Sequence, residues 1–340
     1  MTPLTDAPGA CRVDGEWQWG RYRNPIRDPD LGAWGPKKLR LKEWHYTSVV
    51  TDRLFLALGL VQLGYAANAF LYVVDRRKPS VAHEYEAVSV LGRHLHFAPS
   101  SVEGRTEWSR RGAEIRATWM DAVSGPGSWE IDLDVPLGDL PLRGTFRVVA
   151  EGDALALLHD VGQSRPAYTH KQVGLEARGS VRLGDESIDL DGGLGAVDWT
   201  RSFAARETRW KWACFAGRKD DGTRLGLNLS AQVYDDAQGD SRENAFWVDG
   251  VATPLGGVQF EVPRTPGVGD WHIRSKQTSS ASVGPQVELV FQPLGARAQH
   301  LDLKLLRSDF VQPYGVFRGH VGDVVIDELF GVVEDHLSVW

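Results

Sequence analysis

Asp198 and Arg201 flank Trp199 and Thr200 in the stretch Gly195-Ala196-Val197-Asp198-Trp199-Thr200-Arg201-Ser202. A carboxylate beside an indole and near a guanidinium is a candidate for acid–base work. Burial among aromatic rings favours the protonated acid, and a neighbouring guanidinium favours the carboxylate. The residues leave both open, together with a purely structural pair that pins a short connection. Glu243 and Asn244 form a second polar pair at the start of an apolar segment. Lys171, in Tyr168-Thr169-His170-Lys171, is a third candidate, either as a site residue or as an ion-pair partner at a domain junction. His94 and His96 would share one strand face and could hold a metal, but no third ligand stands near them in sequence, and rim histidines fit equally. Glu334-Asp335-His336 reads as a solvated cluster rather than a catalytic one.

The elements that would position these groups are strands. Side chains alternate with period two along a strand, so Trp210, Trp212 and Cys214 share one face. Asp220-Asp221-Gly222 is a turn signal. It leads into a strand with Leu225, Leu227 and Leu229 on one side and Gly226, Asn228 and Ser230 on the other. A hairpin with an aromatic face and a few enclosed polar groups is how a pocket for an apolar ligand is built. An ordinary sheet core would give the same pattern. Trp129, Ile131, Leu133 and Val135 alternate with Glu130, Asp132 and Asp134, which predicts a strand with one wet face. Leu54 to Gln62 and Ala69 to Val74 are mostly apolar strands. Gly- and Asp-rich turns recur at short intervals, and no long amphipathic helix is visible. That combination predicts a sandwich or barrel.

Composition narrows the function classes. The 340 residues are 42% hydrophobic and 24% charged, the balance of a packed globular chain. A net charge of -7 argues against a nucleic-acid partner. The chain has 13 Trp, more than a ligand wall needs, so most are expected in the core. Cys11 and Cys214 are expected to be free thiols. The longest apolar run, Leu54 to Leu63, is too short to span a bilayer, and the first residues lack a signal-peptide pattern. The expectation is a soluble, cytoplasmic protein whose oligomeric state stays open. No phosphate-binding glycine loop, nucleophile elbow, His-Glu-x-x-His or Cys-x-x-Cys is present, so no cofactor and no metal are expected.

The order Trp44-His45-Tyr46, Gly59-Leu60, Asn68-Ala69-Phe70, Val74-Asp75 is echoed by Trp210-Lys211-Trp212, Gly226-Leu227, Asn244-Ala245-Phe246, Val248-Asp249. The echo predicts two related β-domains. Residues 1–36 read as a loop-rich leader, 37–165 as a first barrel and 166–340 as a second, with the junction near Gly162, Ser164 and Pro166.

Trp44-His45-Tyr46, Tyr168-Thr169-His170-Lys171, Asp198-Trp199-Thr200-Arg201, Trp210-Lys211-Trp212, Glu243-Asn244, Gln312-Pro313-Tyr314-Gly315 and Gly331 to His336 together resemble the bacterial family DUF2804. The resemblance runs from about Gly15 to Trp340. That family is distantly similar to the AttH-like and hydroxyneurosporene synthase (carotenoid hydratase) group. The resemblance implies an all-β chain of two tandem lipocalin-like antiparallel barrels with few short helices. It also implies a cofactor-independent enzyme of hydratase, isomerase or cyclase type acting on an isoprenoid, polyketide or lipid. The shared acidic-Trp, Trp-x-Trp and Asp-Gly pattern falls on Asp198-Trp199, Trp210-Lys211-Trp212 and Asp221-Gly222. The distant group places a charged residue or His ahead of the acidic-Trp pair; Ala196 and Val197 stand there instead. On this reading Asp198 transfers a proton and Arg201 orients it, with Lys171 and Glu243 as further polar candidates. Trp44, Tyr46, Tyr168, Trp199, Trp210, Trp212, Asn228 and Asn244 hold the substrate. A non-catalytic carrier of a lipophilic ligand is the alternative, since a barrel of this size can hold one without chemistry.

Overall fold

The computed structural model describes residues 3–33, 35–276, 284–303 and 306–339. Lys304, Leu305 and Trp340, which the sequence reading placed in the second barrel, lie outside the described residues. The described residues form strands and turns, with one short 3-10 turn at Gly35–Leu39. Two compact units result, one of Asp6–Phe203 and one of Ala204–Trp340 with Met1–Thr5. The division falls later than the expected 165/166 boundary. Gly162, Ser164 and Pro166 belong to a hairpin turn, because Leu155–Asp160 pairs antiparallel with the start of Pro166–Leu183. Asp160 caps that turn through the backbone N–H groups of Gly162, Ser164 and Arg165.

The first unit is built on one long curled sheet, with a separate two-stranded ribbon of Arg12–Val13 and Glu16–Trp17. Its main path runs Ala82–Val90, Ala66–Asp75, Leu54–Gln62, Lys42–Val50, Leu194–Ser202, Pro166–Leu183, Leu140–Val149, Ser128–Leu137, Ala113–Met120, Arg105–Arg110 and Leu95–His96. Leu194–Ser202 is therefore inserted between the early strand Lys42–Val50 and the late strand Pro166–Leu183. Pro166–Leu183 bends at Gly174, where the ladder register shifts between Val173 and Leu175 and φ is 83°. Its first half pairs with Leu194–Ser202 and its second with Leu140–Val149.

Curling brings the sheet's ends together over a core that includes Leu56, Leu58, Trp108, Trp129, Phe146 and Val197. Trp108 donates to the Tyr85 hydroxyl at 2.9 Å, and Tyr85 donates to the Arg110 carbonyl at 2.8 Å, so side chains from opposite ends meet. No ladder among the described residues joins Ala82–Val90 to Leu95–His96, so the sheet is curled rather than closed by hydrogen bonds. Leu54 to Leu60 is buried on both faces, which explains its unbroken apolar run. The 1–36 leader is not merely loop: Gly20–Tyr22 pairs with Leu155–Asp160, and Cys11, Tyr22, Ile26 and Leu31 bury a small core with Tyr168 and Trp199.

The second unit repeats the plan. Val251–Pro254, Ala245–Val248, Arg224–Ala231, Glu207–Arg218, Val324–Val339, Leu306–Val321, Val287–Leu303, Trp271–Ser275 and Val258–Glu261 form its sheet in that order. Leu225, Leu227, Leu229, Ile273, Phe291 and Phe317 share its core. The Asp220-Asp221-Gly222 hairpin is present, with Gly222 at φ 88° and its N–H bonded to the Lys219 carbonyl at 2.9 Å. Among the described residues no helix is long and apolar enough to cross a membrane.

Candidate functional site

Three strands of the first unit place the candidate residues. In the register, Lys171 stands opposite Asp198 and Asp198 opposite Tyr46; Thr169, Thr200 and Trp44 form the next row on the same face. Asp198 is buried, its side chain 12% exposed and that of Lys171 5%. Lys171 Nζ donates to Asp198 Oδ2 at 2.5 Å, and Trp44 Nε1 donates to the same oxygen at 3.3 Å. Thr200 Oγ1 lies 3.1 Å from Asp198 Oδ1 and 2.7 Å from Thr169 Oγ1. A buried carboxylate is thus held by one ammonium, one indole and one hydroxyl. It has about four acceptor positions, so about one is left.

The expected Asp198–Arg201 pair is not formed. The two residues are three apart on a strand and point to opposite faces. Arg201 Nε instead bonds Glu43 Oε1 at 2.7 Å, and its other nitrogens reach the Pro99 and Ala98 carbonyls at 3.1 and 3.3 Å. Burial raises the Glu43 carboxyl above its ordinary range more than Arg201 pulls it down. Trp199 also lies on that opposite face. It packs on Phe97 and Tyr168 with ring centroids at 5.4 and 6.0 Å. Tyr168 therefore belongs to the core under the leader rather than to a substrate wall, and its hydroxyl accepts the Ile26 N–H at 3.0 Å.

On the Trp199 face, His170, Trp199 and His45 make a single row across the three strands. Burial pushes His45 down to about 4; burial, and then the charge of His45, push His170 down to about 3. Both rings are neutral in the folded chain at ordinary pH. Cys11 and Cys214 are both unbridged and buried, and burial pushes the Cys11 thiol up to about 12.

The second unit holds the other candidates and one cluster that sequence reasoning dismissed. Glu334 stands opposite Trp212, and His336 opposite Trp210. Trp210 Nε1 donates to Glu334 Oε1 at 2.6 Å, and Gln312 Nε2 donates to Oε2 at 2.9 Å. His336 Nδ1 is 3.3 Å from Glu334 Oε1. Glu334-Asp335-His336 is therefore not a solvated cluster: the Glu334 and His336 side chains are 8% and 13% exposed. Strand parity was the available signal, since Glu334 and His336 share a face and Asp335 takes the other.

Trp212 Nε1 donates to Asn228 Oδ1 at 2.7 Å, and Asn228 Nδ2 donates to the Glu243 carbonyl at 2.8 Å. Asn244 bonds the Ser230 N–H at 2.7 Å and the Gly256 carbonyl at 2.9 Å, which gives it a turn-holding role. Glu243 is fully buried. The two histidines weighed as metal ligands do not lie on one strand. His94 has a left-handed backbone, φ 67°, ahead of the two-residue strand Leu95–His96.

By fold the chain is similar to a Nitrosomonas europaea protein described as "a putative AttH", at 14% identity and TM-score 0.50, covering 92% of this chain and 97% of that one. It is also similar to CghA, crystallised with Sch210972, at 10% identity and TM-score 0.52, covering 88% of each. Likeness at this identity shows the fold: an all-β, lipocalin-like pair of curled antiparallel sheets. No curated protein sequence matches the chain. The family described as "Domain of unknown function (DUF2804)" matches residues 2–340, and the chain belongs to that family.

Proposed function

We propose that this protein is a cofactor-independent enzyme that moves a proton on a hydrophobic small molecule, an isoprenoid, polyketide or lipid, in a hydratase, isomerase or cyclase reaction. The observation that carries the reading is the Asp198–Lys171 pair: two charged groups withdrawn from water, 2.5 Å apart, with an indole on the same carboxylate oxygen. Burying such a pair costs several kcal/mol per ion before the two attract each other. A strand has no need of it, since apolar residues of the same size pack as well. A proton bridging an acid and an amine is, however, what acid–base chemistry uses.

Lys171 takes the orienting role that the sequence reading gave to Arg201, and Trp44 replaces Trp199 as the indole at the carboxylate. Asp198 accepts the proton, Lys171 keeps the site's charge balanced, and Thr200 with Thr169 fixes the second oxygen. Crystallisation of the fold relative CghA with Sch210972 supports a small molecule as the ligand.

The reading is tested by incubating the protein in D2O with a panel of isoprenoids, polyketides and fatty acids, and following solvent deuterium by mass spectrometry. An acid–base enzyme places deuterium on at least one member of the panel. A carrier binds members of the panel and labels none, and that outcome removes the enzyme.

A further inference from the structure

The Glu334 cluster contains an arrangement the fold itself does not require. His336 Nε2 lies 2.9 Å from Ser308 Oγ and 2.9 Å from Ser338 Oγ. Its Nδ1 faces the Glu334 carboxylate at 3.3 Å. An ionised carboxylate only accepts, so in the neutral ring the hydrogen sits on Nδ1 and Nε2 presents its lone pair to the hydroxyls. Glu334 is itself fixed by Trp210 and Gln312. Trp210 and Phe310 flank the imidazole with ring centroids at 4.0 and 5.0 Å, an apolar surrounding.

The first unit provides an internal control. There Thr200 opposes Trp44 where His336 opposes Trp210, and Ala167 opposes Ser202 where Ser308 opposes Ser338. That sheet has the same strand order without the imidazole or the paired serines, so strand packing does not explain them.

We propose that Ser308 is a nucleophile activated by His336 and oriented through Glu334, forming a site for acyl transfer from an ester of an apolar acid. Hydroxyl, imidazole and carboxylate stand in the order such a relay needs, each within hydrogen-bond reach of the next. Burial selects between the two serines: Ser338 is 1% exposed, while Ser308 is only half-buried. In the first step Ser308 Oγ bonds to the ester carbonyl carbon and its proton passes to His336 Nε2. The C–O bond to the alcohol then breaks, and the alcohol leaves with that proton. In the second step water attacks the acyl-serine, His336 takes its proton and returns it to Ser308 Oγ, and the acid is released. The site lies wholly in the second unit and does not depend on Asp198.

The experiment uses the full-length protein and an alkyl fluorophosphonate, which phosphonylates activated serines with loss of fluoride. Intact mass and peptide mapping locate the adduct. A single adduct on Ser308 is expected, absent in S308A and still located on Ser308 in S338A. H336Q should slow labelling by about 100-fold or more, the usual contribution of a general base. Circular dichroism checks that each variant is folded. Should a variant unfold, the presence and position of the wild-type adduct decide the matter alone. No adduct on the wild-type protein, an adduct on another residue, or labelling of Ser308 that H336Q leaves unchanged overturns the proposal.

Discussion

The two sheets build the same carboxylate cradle from different chemistry. In each, a buried acid sits on an inner strand, opposite an aromatic residue: Asp198 opposite Tyr46, Glu334 opposite Trp212. In each, the Trp two residues earlier, Trp44 or Trp210, donates its indole N–H to that acid. The strand on the other flank supplies a nitrogen donor, Lys171 in the first unit and Gln312 in the second. The residue two beyond the acid also reaches it, Thr200 in one case and His336 in the other. The first unit thus neutralises its carboxylate with a full charge. The second surrounds it with neutral donors, next to an imidazole. Geometry is shared, and side-chain identity decides whether the acid is a charge-paired group or one that can fix a neutral base.

The faces behind these cradles differ as much. Behind Asp198 the row His45, Trp199, His170 is buried. Behind Glu334 the corresponding row is Lys211, Asp335 and Val311. Lys211 and Asp335 lie 3.7 Å apart, with side chains 21% and 42% exposed. The leader covers the first row with Cys11, Ile26 and Leu31, which allows aromatic and neutral imidazole groups there.

The contrast gives ordered expectations for urea unfolding. The largest effect should come from K171M, which leaves Asp198 buried without its cation and should cost about 3–5 kcal/mol. Q312L, which removes a neutral donor from Glu334, should cost about 1–3 kcal/mol. Equal losses would break the distinction between a charged and a neutral cradle.

Next comes acid. The folded values of His45 and His170, about 4 and about 3, lie below that of an exposed histidine, so the unfolded chain binds more protons. Stability is therefore complete above pH ~6.5 and falls as pH drops, by up to about 1.4 kcal/mol per unit for each ring. At pH 5 H45F should recover about 2 kcal/mol of the acid-induced loss relative to wild type. If the acid loss is the same in H45F, the ring is not buried neutral. The smallest effect belongs to the exposed row: K211Q should shift stability by less than about 1 kcal/mol, and added salt should erase the difference.

Much of this plan was legible in the sequence, and the failures have physical causes. Parity placed Trp210, Trp212 and Cys214 together, and Leu225, Leu227 and Leu229 in the core, because alternation is a local property. The same rule argues against Asp198 with Arg201, since three residues along a strand reverses the face; treating the segment as a connection hid this. The partner of Asp198 could not be read locally. Lys171 meets it only through a ladder that shifts register at Gly174. The internal echo held in order but not in register. Trp44 and Trp210 occupy matching rows, whereas Gly59 opposes Tyr46 and Gly226 opposes Ala216. The Gly, Ser and Pro cluster near 165 marked a hairpin turn, and turn chemistry alone does not distinguish a hairpin from a linker.

The most direct measurement compares D198N with wild type on the first compound that takes up deuterium, recording affinity and turnover on the same preparation. With Asp198 as the proton acceptor, the dissociation constant stays within about threefold and kcat falls by about 100-fold or more. Unchanged turnover in folded D198N would contradict the account and leave the Asp198–Lys171 pair as a structural feature of the sheet.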